Sequence, residues 1–170
     1  LLEYQLKTSF TEPFLFHPLI SKQIEFDSSL SWQRKRFYNF DADILKISPQ
    51  FSHAFNRNVS AAIKYQFERI IQFNGTLPKD DDNFSIGGIT PSLTLDFRDD
   101  PLLPKKGAYF NLSSEFANPY FGSMKQSDLI INFVKVTSRN RFYFPISNFI
   151  FAFSISGGYE HNFANEPVIN

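Results

Sequence analysis

Residues 93–107 read LTLDFRDDPLLPKKG, and residues 108–118 continue as AYFNLSSEFAN. Apolar and polar side chains alternate before the charged segment and again after it, which is the two-residue period of a β-strand. Pro104 and Gly107 lie between the two alternating segments, and both residue types favour turns. Gly107 is also free to adopt a positive φ, because it has no Cβ. The stretch therefore predicts two strands joined by a charged turn.

The same period recurs along the rest of the chain. It is clearest in Val59–Phe73, where one parity is apolar and the other carries mainly Ser, Lys, Gln and Glu. Arg34 and Arg36 are exceptions, since they fall on the apolar parity of their segment. No segment has a helical period, so the predicted fold is all-β with about eight strands. The alternating segments are residues 2–11, 24–40, 45–55, 59–73, 89–98, 108–118, 134–144 and 149–163.

The length of these segments indicates a membrane. Several run for roughly 12–16 residues, whereas strands of soluble sheets have about 5–6 residues and a membrane-spanning strand needs about 9–11. Tight connections at Asn56–Asn58 and Pro145–Asn148 contrast with longer polar ones at Gly75–Asn83 and Pro119–Ser127. This contrast is typical of antiparallel outer-membrane β-barrels. A soluble β-barrel or β-sandwich that binds a ligand is an alternative, because it has the same period.

Composition excludes several other classes of function. The 17 Lys and Arg residues balance 17 Asp and Glu residues, so no basic field favours nucleic acid as a partner. There is no cysteine, and His17, His53 and His161 have no ligand-like spacing. The sequence has no phosphate-binding or nucleophile motif. We therefore predict that the chain is not an enzyme and has no catalytic, cofactor-binding or metal-binding residues.

Three short motifs point to a family. Asp96-Phe97-Arg98, followed by Pro104 and Gly107, resembles the D-x-R…P…G turn of the BamA/TamA superfamily of outer-membrane assembly and translocation barrels. Residues 11–16, with Pro13, Phe14 and Phe16, are similar to a second turn of TamA-like members, in which Trp usually stands where this chain has Phe14. Residues 156–168 resemble the strand that leads into the inward-folded loop of these barrels.

The resemblance implies a position and a function for the chain. Residues 1–170 would form a partial outer-membrane barrel domain, roughly the fourth through eleventh strands of a sixteen-stranded barrel. The N-terminal periplasmic repeats, the first strands and the last strands would lie outside it. The implied function is insertion or translocation of outer-membrane proteins at a weakly sealed seam in a Gram-negative bacterium. Its partners would be the lipid bilayer, unfolded outer-membrane proteins, and periplasmic or lipoprotein accessory subunits.

A passive porin or substrate-specific outer-membrane channel is the main functional alternative. An R-G-F/Y motif beyond residue 170 would favour the assembly family over a channel. The motifs do not separate BamA, TamA, two-partner-secretion transporters and organelle relatives.

Two groups of residues have alternative interpretations. Asp96 and Arg98 share the polar parity, so they form either a lumenal charge pair near the periplasmic rim or a simply solvated strand end. A basic lumenal patch is a second candidate feature, drawn from Lys64, Arg69, Lys135, Arg139 and Arg141. Gly87-Gly88 and Gly157-Gly158 are predicted to be strand kinks or points of close approach.

Overall fold

A computed structural model describes residues 3–15, 24–75, 83–124 and 130–163. These residues form one antiparallel sheet of eight strands, in which every strand pairs with its neighbours along the chain. The meander confirms the all-β antiparallel prediction. The strands are β1 (Tyr4–Leu15), β2 (Ile24–Arg36), β3 (Asp41–Ala54), β4 (Val59–Phe73), β5 (Asn83–Asp96), β6 (Gly107–Ala117), β7 (Phe133–Ile146) and β8 (Phe149–Asn162).

The connections contain little regular structure. Among the described connections, a 3-10 turn at Pro119–Phe121 follows β6. Among the residues that the structure describes, no helix is long and apolar enough to cross a membrane.

The register keeps each parity on one face across the whole sheet. Pairing is regular along every described strand pair except β1–β2, where it shifts between Glu12 and Leu15. Ala61, Leu93 and Leu112 consequently lie side by side on β4, β5 and β6. A 14-residue strand such as β3, rising about 3.3 Å per residue and tilted by about 45°, spans roughly 33 Å. That length exceeds the apolar band of an outer-membrane barrel, which is about 25 Å tall.

Most of the apolar face of the sheet is not covered by the residues that the structure describes. Leu6, Phe10 and Tyr159 are 70%, 59% and 67% exposed, and many other aromatic and aliphatic side chains of this face are exposed as well. Only Ala42, Ile44 and Ala117 are buried apolar residues in the described part of the chain. A soluble sandwich would cover such a face with a second sheet. An apolar face of this extent fits contact with lipid instead, and we call it the outer face.

The opposite face is the more crowded one, as expected of the concave side of a curved sheet, and we call it the lumenal face. Ala42 is fully buried there and Ile44 is 8% exposed. The lumenal face is not polar throughout, because near one end Ile44, Ile70 and Phe84 form one row across β3, β4 and β5. Side chains on the concave side of a curved sheet lie close together, so these three apolar residues can pack against one another although they belong to the polar parity.

Pro49 interrupts the hydrogen-bond ladder without changing the register. The β3–β4 pairing passes from Ile47 to Gln50 and skips Pro49, while the pairs on both sides keep the same offset. Proline has no N–H to donate to the ladder, which accounts for the gap.

Candidate functional site

The turn between β5 and β6 is organised by one ion pair on the lumenal face. Arg98 Nε lies 2.8 Å from Asp96 Oδ1, and Arg98 Nη2 lies 2.6 Å from Asp96 Oδ2. The backbone N–H of Arg98 also donates to Asp96 Oδ1, at 3.1 Å. The Arg98 and Asp96 side chains are only 12% and 25% exposed. This bidentate geometry holds the chain rigidly at the point where it leaves β5.

Two tyrosines and a second arginine surround the pair. The Arg98 guanidinium carbon lies 4.9 Å from the centroid of the Tyr109 ring, and Arg141 lies 5.9 Å from the same ring. Hydrogen bonds to Asp96, supported by the nearby Tyr143, raise the pKa of the Arg98 guanidinium above its ordinary value. Because Asp96, Tyr109 and Arg141 occupy one row of β5, β6 and β7, the register itself assembles this rim cluster.

The outer part of the turn is held by carboxylates that accept backbone N–H groups. Asp99 Oδ1 accepts from Lys105 N at 3.0 Å and from Lys106 N at 3.2 Å. These two donors lower the pKa of the Asp99 carboxyl. Asp100 Oδ1 accepts from Leu102 N at 2.7 Å in the same manner. The turn therefore has a specific conformation and is more than a solvated connection.

Gly107 completes the turn with a conformation that only glycine adopts easily. Its φ is +108°. A Cβ at this position would overlap the Phe97 carbonyl oxygen and lie 2.9 Å from Arg98 Cα. Pro104 is half-buried between the charged residues and Gly107. The structure thus brings Asp96, Arg98 and Gly107 into one unit.

The neighbouring turn, between β3 and β4, is tied to the same strand end. Asn58 Nδ2 donates to the Asp96 carbonyl oxygen at 2.6 Å, and Asp96 N donates to the Asn58 carbonyl oxygen at 2.8 Å. Asn56 Oδ1 accepts from the backbone of Asn58 and Val59, at 2.8 and 2.9 Å. Sequence reasoning missed this link, because it depends on which strands are neighbours.

The second turn motif is only partly described. Pro13 and Phe14 lie near the end of β1, beside the register shift between Glu12 and Leu15. Phe16 lies outside the described residues. The predicted role of this motif stays a prediction.

The two arginines on the apolar parity have acidic partners on the adjacent strand. Arg34 forms two hydrogen bonds with Asp43, at 2.6 and 2.5 Å, and Arg36 Nε lies 3.2 Å from Asp41 Oδ1. The Arg34 guanidinium also lies 4.9 Å from the ring centroid of Phe73. Arg34 and Arg36 are thus both compensated by the strand beside them, which the sequence alone did not reveal.

The candidate basic patch is divided by the structure. Arg69 pairs with Ser85 and Leu45 across the sheet, so it lies on the outer face and its assignment to the lumen was wrong. Lys135 lies on the lumenal face, 3.8 Å from Glu160. Arg139 and Arg141 follow on the lumenal parity of β7. In the described residues, no three His, Cys, Asp or Glu side chains are grouped to hold a metal ion.

Comparisons with known proteins agree with this architecture. Residues 2–169 match the family model of the Omp85 superfamily domain. The fold is similar to that in the crystal structure of BamA from Haemophilus ducreyi lacking POTRA domains 1-3, with a TM-score of 0.72 and 12% sequence identity. The match covers 95% of this chain and 34% of that chain, so this chain spans about a third of the length of the chain in that crystal structure. No curated protein matches the chain significantly in sequence.

Proposed function

The chain belongs to the Omp85 superfamily, and on that premise we propose that it is a wall segment of an outer-membrane barrel that inserts or translocates other outer-membrane proteins. The match over residues 2–169 carries the proposal. The uncovered apolar face and the membrane-length strands support a location in a bacterial outer membrane.

Both edges of the sheet need further strands. Within the described part of the chain, β1 pairs only with β2 and β8 only with β7, so each has one edge with no strand beside it. Lipid offers no hydrogen bonds to such groups, and membrane sheets therefore close into barrels. We propose that additional strands pair with β1 and β8 to complete the wall.

The described wall segment would be a rigid part of the barrel. Substrate strands would enter at a weakly sealed seam elsewhere in the barrel by β-augmentation, in which an extended segment pairs with an exposed strand edge. Unfolded outer-membrane proteins and lipid are the proposed partners of the barrel, and periplasmic or lipoprotein subunits are proposed accessories. The rim cluster around Asp96 and Arg98 would keep the β5–β6 end rigid while the seam opens.

Reconstitution tests the proposal. The full-length protein that carries this chain, placed in lipid vesicles, should speed the folding of an unfolded outer-membrane barrel added from urea. Folding is measured by the heat-modifiable migration of the substrate in gels. Vesicles that contain a passive porin of similar size serve as the control, and equal rates in the two preparations would contradict the proposal.

Depletion in the source bacterium separates assembly from the channel alternative. An assembly factor should lower the amounts of other barrels in the outer membrane, whereas a channel should lower solute uptake and leave those amounts unchanged.

A further inference from the structure

The segment after β6 folds back against the outer face of the sheet, and we call residues 118–124 the outer loop. Ser123 Oγ accepts from Gly87 N at 3.0 Å and donates to Gly87 O at 2.7 Å. A Cβ on Gly87 would overlap the carbonyl oxygen of Phe121. The predicted close approach at Gly87 is confirmed, and its physical reason is that the outer loop replaces β6 beside the end of β5.

Further bonds fix the outer loop above β4 and β5. Tyr65 Oη donates to the Phe121 carbonyl oxygen at 2.9 Å, and Ser85 Oγ donates to the Gly122 carbonyl oxygen at 2.9 Å. Met124 N donates to the Ser85 carbonyl oxygen at 2.8 Å. Tyr65 and Ser85 both belong to the outer parity. The outer loop is therefore attached to the side of the sheet that faces lipid.

A cleft of about 240 Å³ opens between the outer loop and β4. Its walls combine aromatic and aliphatic surface with one positive charge. The lining residues are Phe67, Arg69, Asn83, Phe84, Ser85 and Met124.

Arg69 differs from the other arginines on the outer face. Arg34 and Arg36 have carboxylate partners. Arg69 is exposed, and within the described ranges it has no ion pair and no side-chain hydrogen bond. An exposed arginine that has no ion-pair partner among the described residues can bind an anion from outside the chain.

Arg69 lies close to the edge of the apolar band. It lies four residues before the end of β4 at Phe73, which corresponds to roughly 9 Å along the membrane normal at a tilt of about 45°. The outer parity of β4 is free of charge from Val59 to Phe67 and becomes charged at Arg69. Ile71 and Phe73 follow Arg69 on the same parity, with Asp43 and Asp41 of β3 beside them, so charged and apolar side chains are mixed at this end of the outer face.

We propose that Arg69 and the cleft beneath the outer loop bind an anionic membrane lipid. The guanidinium pairs with the headgroup phosphate, which it can bind through two parallel hydrogen bonds. An acyl chain lies against Phe67 and Met124 and continues along the apolar face. This binding depends on the outer face meeting lipid, and it is independent of any activity in protein assembly.

Native mass spectrometry of the full-length protein in detergent tests the proposal. The probes are phosphatidylglycerol, phosphatidylcholine and inorganic phosphate. The wild type should bind phosphatidylglycerol about tenfold more tightly than phosphatidylcholine, because one charge-assisted hydrogen bond contributes an affinity difference of about that size. Arg69→Gln should remove that preference and Arg69→Lys should keep most of it. Lys64→Gln is the matched control, because Lys64 is a cation on the lumenal face of the same strand.

Each outcome decides the question. Loss of the preference in Arg69→Gln alone supports the site. An unchanged preference in Arg69→Gln, an equal loss in Lys64→Gln or in Arg69→Lys, or no preference in the wild type overturns it. Inorganic phosphate that binds as tightly as the lipid would also overturn it, since a simple anion site would then suffice.

Hydrogen–deuterium exchange of residues 118–124 in the wild type gives a measurement without a variant. Phosphatidylglycerol should slow this exchange, and an unaffected rate contradicts the proposal.

Discussion

Replacing Gly107 with alanine should destabilise the barrel by about 2–4 kcal/mol. An L residue held at φ +108° costs about 1–3 kcal/mol. The new Cβ would also overlap the Phe97 carbonyl oxygen. Relief of that overlap moves β6 away from β5 and weakens the 2.8 Å bond from Phe97 N to Ala108 O, which adds about 0.5–1.5 kcal/mol.

Urea titration of the full-length protein in lipid vesicles measures the effect, with heat-modifiable migration as the readout. At a slope of about 1–3 kcal/mol per molar urea, the midpoint should fall by on the order of 1 M. Gly157→Ala is the matched control, because a Cβ at Gly157 in β8 would meet no described atom within 4 Å apart from its chain neighbours. Alanine there should stabilise the strand by about 0.5–1 kcal/mol. If the two variants have the same midpoint, the positive φ and the overlap do not determine the stability of this turn.

Three further predictions concern the turn and the outer loop. Arg98→Gln should lower the free energy of unfolding by about 2 kcal/mol, because it leaves the Asp96 carboxylate without its partner. In a double-mutant cycle with Asp96→Asn the coupling energy should be about 1–2 kcal/mol, and additive effects would contradict the pairing. The Asp99 carboxyl has a lowered pKa, so its contribution to stability is fully present above its unfolded pKa of about 3.9 and is lost as the pH falls from there through the lower folded pKa. Asp99→Asn should therefore flatten the acid side of the plot of unfolding free energy against pH. An unchanged plot would show that the carboxylate contributes nothing. Gly87→Ala should displace residues 118–124 and speed their hydrogen–deuterium exchange, whereas the Gly157→Ala control should leave that exchange unchanged.

The strand pattern could be predicted because the period of two is a local property. β4 was predicted as Val59–Phe73, and the structure has the same bounds. Where charges interrupt the pattern, the bounds were less accurate: β2 was predicted to reach residue 40 and ends at Arg36. Phe37 N donates to the Phe40 carbonyl oxygen and closes a short turn instead. A local turn of this kind competes with further alternation, and the period alone does not say which one prevails.

The contacts that define the sites could not be predicted, because they depend on register. Nothing in the sequence places Asp43 beside Arg34 or Asn58 beside Asp96, since the residues in each pair come from different strands. Arg69 is a different case. It follows Phe67 and precedes Ile71 on the apolar parity, so strict use of the period would have assigned it to the outer face.

The charged residues at the strand ends show why parity alone does not tell which side chains face lipid and which face the lumen there. Arg98 on the lumenal face and Arg34 on the outer face have nearly the same geometry, each with a bidentate carboxylate and an aromatic ring 4.9 Å away. A membrane sheet accepts such pairs on both faces, because its strands are longer than the apolar band and their ends reach polar surroundings. What distinguishes the positions is the partner supplied by the neighbouring strand. Arg69 is the informative exception, since the register gives it Leu45 and Ser85 in place of an acid. No described residue supplies a counter-charge to Arg69, and under the proposal above the phosphate of an anionic lipid supplies it.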